Sequence, residues 1–166
     1  MTNPPKLLIS ACLLGQPVRY DGQSKPMRSP AWQTLQEKFE LIAVCPECLG
    51  GLPTPRPAAE IHGGQGEDVL NGAACVQTNH QQDVTQAFIS GAEQALAVAQ
   101  SHGCKLALLK ANSPSCGNRQ IYDGSFSKQL RLGSGVTAAL LQQHGVAVWN
   151  EDELAGLLAT AKGRKE

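Results

Sequence analysis

Apolar residues gather in four short runs: Leu7-Leu8-Ile9, Leu41-Ile42-Ala43-Val44, Leu106-Ala107-Leu108-Leu109 and Val146-Ala147-Val148-Trp149. None alternates with polar residues. This predicts parallel strands covered on both faces, since a strand with one wet face shows a polar side chain at every second position. Between the runs the period becomes helical. Ser29-Pro30 opens a predicted helix through Trp32, Leu35 and Phe39, because proline at the first helical position lacks only a donor that has no partner there anyway. Asp83 with Gln86 predicts a capping box, after which Val84, Ala87, Phe88, Gly91, Ala95 and Ala99 share one face up to a stop at Gly103. Val136, Ala139 and Leu140 predict a third helix after Gly133-Ser134-Gly135. Asn150 with Glu153 caps a fourth, carrying Leu154, Leu157 and Leu158.

Strand and helix thus alternate, which predicts an α/β fold: a Rossmann-like, doubly wound parallel sheet of about four strands with right-handed crossovers. Counting the apolar runs as strands, the simplest order is 2-1-3-4. It places a topological switch between the first and third, and a ligand crevice opens at the carboxyl ends of strands beside such a switch. Residues 45 to 82 break the rhythm with proline and glycine, and a connection this long is functional or disordered. Val69-Leu70 and Ala73-Ala74-Cys75-Val76 flank Asn71-Gly72 and predict a small hairpin. Residues of about 46–82 are therefore expected to form an ordered lid inserted into a single domain spanning 1–166.

The 166 residues, 42% of them apolar, suffice for one soluble globular domain with its own core. Lys and Arg number 14, matching 14 Asp and Glu, so no general field attracts nucleic acid or anionic membranes. Neither a stable nucleic-acid partner nor a membrane is expected. Ile9-Ser10-Ala11-Cys12 looks superficially like a lipoprotein processing site, but only Leu7-Leu8-Ile9 precedes it, too short for the core of an export signal. No apolar stretch approaches the length of a membrane helix. Six cysteines at 12, 45, 48, 75, 104 and 116 are too few and too unevenly spaced for a disulfide scaffold, and they point to a reducing cytoplasm.

Placed on this outline, Cys12 follows the first strand, Cys45 closes the second and Cys116 lies in the loop after the third. All three are expected at one crevice. Three loop thiolates suit zinc or an iron-sulfur cluster, and a catalytic site keeps one metal position open for water or substrate. Cys45-Pro46-Glu47-Cys48 also reads as half a zinc site, or as a redox pair in which a helix beginning at Pro46 acidifies Cys45. A zinc ribbon needs a second such pair, which is absent. Metal or cluster binding, thiol redox and inert buried thiols all stay open on the residues alone. Cys75 and Cys104 read as buried structural residues.

Several motifs together carry a resemblance. Ser10-Ala11-Cys12-Leu13-Leu14-Gly15 is followed by Val18-Arg19-Tyr20-Asp21-Gly22, and Cys45-Pro46-Glu47 by Gly50-Gly51-Leu52-Pro53-Thr54-Pro55-Arg56 and Glu60-Ile61. Ser113-Pro114-Ser115-Cys116-Gly117 then leads to Ile121-Tyr122-Asp123-Gly124 and Gly133-Ser134-Gly135-Val136-Thr137-Ala138. In this order the set resembles the thiouracil desulfidase family, long catalogued as a domain of unknown function, in its short form. The resemblance implies a Rossmann-like fold and a 4Fe-4S cluster held by three cysteines with one open iron. The ligands fall on Cys12, Cys45 and Cys116. It further implies removal of sulfur from thiolated pyrimidines, giving uracil-type products and sulfide.

On that reading the reaction is expected to be a non-redox hydrolysis. Glu47 is the expected general base, tuned toward neutrality by its pocket, and Ser113 the expected partner of the ring or of the departing sulfur. Arg19, Tyr20, Ser115 and Arg56 are candidates for contacting substrate, and Arg56 is also a candidate ion-pair partner of Glu60. Gly133-Ser134-Gly135 before a helix resembles an anion cradle. Tyr-Asp-Gly occurs twice, at 20–22 and 122–124, where Asp bonding to backbone amides and Gly with positive φ are expected to fix tight turns. The rival readings are a non-catalytic iron-sulfur or zinc-binding sensor protein, and a thiol oxidoreductase dependent on Cys48.

Overall fold

The structure is a computed structural model and describes residues 4–14 and 30–162. Arg19, Tyr20, the first Tyr-Asp-Gly and Ser29 lie outside the described residues. In chain order the elements are β1 (Lys6–Ser10), a 3-10 turn (Ala11–Leu14), α1 (Pro30–Lys38), β2 (Glu40–Val44), α2 (Pro46–Leu49), β3 (Ala59–His62) and α3 (Gly66–Leu70). There follow β4 (Cys75–Thr78), α4 (Thr85–His102), β5 (Leu106–Leu109), β6 (Gln120–Tyr122) and β7 (Leu130–Leu132). The last are α5 (Val136–Gln143), β8 (Ala147–Asn150), a 3-10 turn (Glu151–Glu153) and α6 (Leu154–Lys162).

The four apolar runs form one parallel sheet in the order β2-β1-β5-β8, the 2-1-3-4 arrangement that the hydrophobic pattern predicts. Side chains of a strand point alternately to its two faces. Leu7, Ile9 and Leu108 accordingly pack with Trp32 and Leu35 of α1 and Leu154 and Leu157 of α6. Leu8, Ala107 and Leu109 pack on the other face with Leu96 and Ala99 of α4 and Leu141 of α5. Covering both faces is what removes polar residues from these strands.

The inserted segment is tied down by a core of its own. Ile61, Val69 and Val76 pack against Phe88 and Ala92 of α4, Val136 of α5 and Ile121. The hairpin predicted around Asn71-Gly72 is not formed. Val69 and Leu70 end α3, because Gln65 and Asp68 cap its start, the Gln65 amide donating to Asp68 Oδ2 at 2.9 Å. Asn71 becomes the helix end, and β4 pairs antiparallel with β3, joining Ile61 to Val76. The predicted box of Asp83 with Gln86 also gives way. Asp83 is drawn into a bridge with Gln77, one residue early, and its Oδ1 accepts from the Thr85 amide at 2.8 Å instead. The box of Asn150 with Glu153 is present, and α4 stops at Gly103 in the left-handed conformation.

One contact fixes the insertion to the scaffold at unusually short range. The short helix α2 lies against α4 through Gly50 and Gly91. A β-carbon on Gly91 would stand 1.9 Å from the Pro46 carbonyl oxygen, and one on Gly50 2.0 Å from that of Ala87. Only glycine lets these backbones approach so closely.

Candidate functional site

The carboxyl ends of β1 and β2 and the loop after β5 open on a cavity of about 570 Å³, and Cys12, Cys45, Cys116 and Glu47 all line it. Cys12 sits in the 3-10 turn that ends β1, Cys45 at the start of α2, and Cys116 in the loop after β5. This is the switch point at which parallel sheets of this order place their ligands.

The Cys116 loop is braced from two sides. Ser113 Oγ accepts from the amides of Ser115 and Cys116, both at 3.0 Å. The first amides of α5 are bonded to the loop's carbonyls: Val136 to Pro114 at 2.8 Å, Thr137 to Ser115 at 2.8 Å and Ala138 to Ser115 at 3.1 Å. Gly135 permits this docking, since a β-carbon there would lie 2.5 Å from the Ser115 carbonyl carbon. The anion cradle expected of Gly133-Ser134-Gly135 is therefore absent. These amides are already satisfied, with Ser134 donating to Gln65 Oε1 and Gly135 to the Gly117 carbonyl. The motif joins a helix to the cysteine loop.

Glu47 follows Cys45 in the first turn of α2 and lines the same cavity. Its Oε1 accepts from Arg56 Nε at 2.9 Å. The Arg56 side chain is only 4% exposed, and it also reaches the Pro53 carbonyl and Thr54 Oγ1, both at 3.0 Å, and Cys48 Sγ at 3.9 Å. An arginine anchored at several points holds its carboxylate partner in one orientation. The alternative partner, Glu60, is engaged elsewhere. Cys48 meets Thr54, Arg56 and the Cys45 thiol, and it is not among the residues lining the cavity.

The second Tyr-Asp-Gly forms the turn expected of it. The Asp123 carboxylate accepts from the Ser125 amide at 2.9 Å and from the Ser125 hydroxyl, which hold the Asp123 carboxyl below its ordinary value. Gly124 takes φ +96, and its amide donates to Glu60 Oε1 at 2.9 Å. Tyr122, Phe126 and Lys128 of this hairpin line the cavity.

Burial pushes the Cys116 thiol up to about 12 against the hydrogen bond from Ser10, with Glu47, Cys45 and Cys12 adding to the rise. Burial likewise pushes Cys45 up to about 12. The acidified Cys45 of the redox reading is thus not found, because desolvation outweighs the hydrogen bond from the Cys48 amide. Among the described residues, no three His, Cys, Asp or Glu side chains gather closely enough to hold a single metal ion. The three cysteines stand instead around one larger space. That arrangement fits a multi-iron cluster, whose ligands attach to different irons, and the all-thiol donor set is the one such clusters use.

Of the residues singled out in the sequence, the cavity brings together Cys12, Cys45, Cys116, Glu47, Ser113, Arg56 and Glu60. Ser115 is not among them. It is 1% exposed, and its hydroxyl pairs with Thr137 Oγ1 at 2.9 Å beneath the loop. Cys104 is buried as expected, whereas Cys75 is half-buried in β4. Lys110, Asn112, Phe126 and Lys128 line the cavity without having been singled out. For Phe126 a signal existed, a lone aromatic side chain among serines just after Tyr-Asp-Gly. Lys110 is bonded to Glu151 Oε2 at 2.8 Å, a partner 41 residues away that no local pattern reveals. No helix among the described residues is long and apolar enough to cross a membrane.

The family described as 2-thiouracil desulfurase matches residues 7–153. The uncharacterized protein YbbK of Bacillus subtilis (strain 168) is 46% identical over 152 residues, spanning 92% of this chain and 99% of that protein. A solved structure, the [4Fe-4S]-dependent thiouracil desulfidase TudS, is 47% identical and superposes with a TM-score of 0.84 over 95% of this chain and 98% of the other.

Proposed function

Because this chain belongs to the 2-thiouracil desulfurase family, we propose that it is an iron-sulfur-dependent desulfidase that replaces the sulfur of a thiolated pyrimidine by oxygen. Cys12, Cys45 and Cys116 are the proposed ligands of a 4Fe-4S cluster with one open iron. The observation that carries this reading is the convergence of three thiols from three separate loops on one cavity with Glu47. Such a cluster supplies a soft Lewis acid suited to a thiocarbonyl sulfur.

The chain's own residues account for the rest. Arg56 occupies Glu47 Oε1, which leaves Oε2 to take a proton from water as its oxygen adds to the ring carbon. A hydroxyl has two acceptor positions and one donor. Ser113 uses both acceptor positions on backbone amides, so its remaining bond is its own O–H, a donor to the ring or to the departing sulfur. One water enters and one hydrogen sulfide leaves. The carbon keeps its oxidation state, and no electron donor is needed.

The test is iron and acid-labile sulfide per chain after anaerobic reconstitution, followed by sulfide release from 2-thiouracil. Iron with matching sulfide and turnover is expected. The Glu47→Gln variant is expected to keep its iron and lose roughly 10²–10⁴ in kcat, the usual worth of a general base. Zinc without labile sulfide, or an iron-loaded chain that releases none, would overturn the reading.

A further inference from the structure

Of the three phenylalanines in the chain, Phe39 and Phe88 are 3% and 1% exposed in the hydrophobic core. Phe126 belongs to no core cluster. It is half-buried in the polar stretch Gly124-Ser125-Phe126-Ser127-Lys128, and it lines the cavity of the three cysteines. Its ring meets that of His62 at a tilt of 42°, with centroids 5.8 Å apart.

The backbone that presents this ring is strained. Phe126 has φ +55 and Lys128 φ +63, a left-handed conformation that bulky residues rarely adopt. Glu60 maintains it. This carboxylate is 7% exposed on β3, and its Oε1 accepts from the amides of both Gly124 (2.9 Å) and Phe126 (3.2 Å). Asp123 closes the loop from the other side, bonding to the Ser125 amide, while the Asp123 amide reaches the Gln129 carbonyl at 2.9 Å. A buried acid spent on two amides of a strained loop, with an aromatic ring as what the loop delivers, is an arrangement that core packing does not call for.

We propose that Phe126 is a specificity-determining residue whose ring stacks on the flat ring of the substrate, and that Glu60 is the positioning residue that holds it there. This rests on the thiolated-pyrimidine reading and deepens it, since selection is made for an aromatic ring bearing the thiocarbonyl rather than for the thiocarbonyl alone. Stacking of a base on an aromatic side chain is sequence-tolerant because it uses the π face. Phe126 therefore distinguishes heteroaromatic thiones from acyclic ones.

The experiment compares wild type with Phe126→Ala, Phe126→Leu and Phe126→Tyr, using the iron-loaded chain, 2-thiouracil and acyclic thiourea. Binding of uracil to the same proteins, measured by calorimetry, is a readout independent of turnover. Loss of stacking is expected to raise KM for 2-thiouracil, and Kd for uracil, about tenfold in Phe126→Ala and Phe126→Leu, with a smaller change in kcat and none in kcat/KM for thiourea. Phe126→Tyr is expected to restore both constants. Phe126→Leu guards against a folding defect, because it fills the space without an aromatic face. Glu60→Ala is expected to raise the same KM, and combining it with Phe126→Ala to add little, as when one residue acts through another. Unchanged KM and Kd in both Phe126→Ala and Phe126→Leu would overturn the proposal while leaving the desulfidase reading intact. Wild type without sulfide release would overturn that reading instead, and uracil binding would still decide whether Phe126 stacks.

Discussion

Replacing Gly91 by alanine sets two rules against each other. Gly91 is buried within the 18-residue helix α4, where alanine is favoured over glycine by about 1 kcal/mol. Helix propensity alone therefore predicts stabilisation. The new β-carbon, however, would lie 1.9 Å from the Pro46 carbonyl oxygen and 2.8 Å from its carbon. Ordinary contact begins at 3.4 Å, so α2 must retreat by roughly 1.5 Å, and both colliding atoms are backbone with no rotamer to relieve them. Overpacking of this kind costs about 1–3 kcal/mol, and a backbone clash belongs at the upper end. The net effect is destabilisation by about 2 kcal/mol, which lowers the melting temperature of a chain this size by roughly 4–8 °C. The assay is thermal unfolding of the metal-free chain by circular dichroism, with Ala97→Gly on the exposed side of α4 as a control that reads helix propensity alone. Since α2 begins beside Cys45 and carries Glu47, iron retention after reconstitution should fall as well. A Gly91→Ala chain that melts at or above the wild-type temperature would refute the steric argument.

Cys48→Ser is expected to leave iron content unchanged, because Cys48 does not line the cavity, while Cys116→Ser is expected to lose most of the iron. Metal analysis of the two variants side by side decides this, and loss of iron in Cys48→Ser would make Cys48 a ligand. The metal-free chain is expected to lose stability as pH rises above the ordinary thiol value of 9.0. Unfolded thiols ionise there, whereas burial keeps Cys45 and Cys116 protonated up to about 12, so the unfolded state gains between the two values. Melting temperatures from pH 8 to 10.5 should fall, and a Cys45→Ala, Cys116→Ala double variant should show a shallower slope.

The sheet was legible because strands covered on both faces leave a mark that is purely local, as Leu7-Leu8-Ile9 does. The three cysteines followed from the same outline, since each sits just after one of the first three strands in the simplest order that the apolar runs allow. Asn71-Gly72 misled because the same pair suits a type I′ turn and a helix end, and the choice was made upstream by Gln65 and Asp68. Glu60 gave no local sign of its role, because the amides it holds lie 64 and 66 residues away. Ser115 was a candidate for contacting substrate, yet its hydroxyl is taken by Thr137, a partner that arrives with a helix 22 residues on.

The bonds from the start of α5 to the carbonyls of Pro114 and Ser115 have a consequence for the order of assembly. Once α5 has packed on the sheet, the Cys116 wall is set in place with no need of a metal. The α2 side is held just as independently, by its close backbone contact with α4, so both walls are set by helix packing. Positions 134–137, which carry no ligand, should therefore be as intolerant of insertion as the cysteine loop itself, and lesions there should present as failed maturation rather than as a slow enzyme.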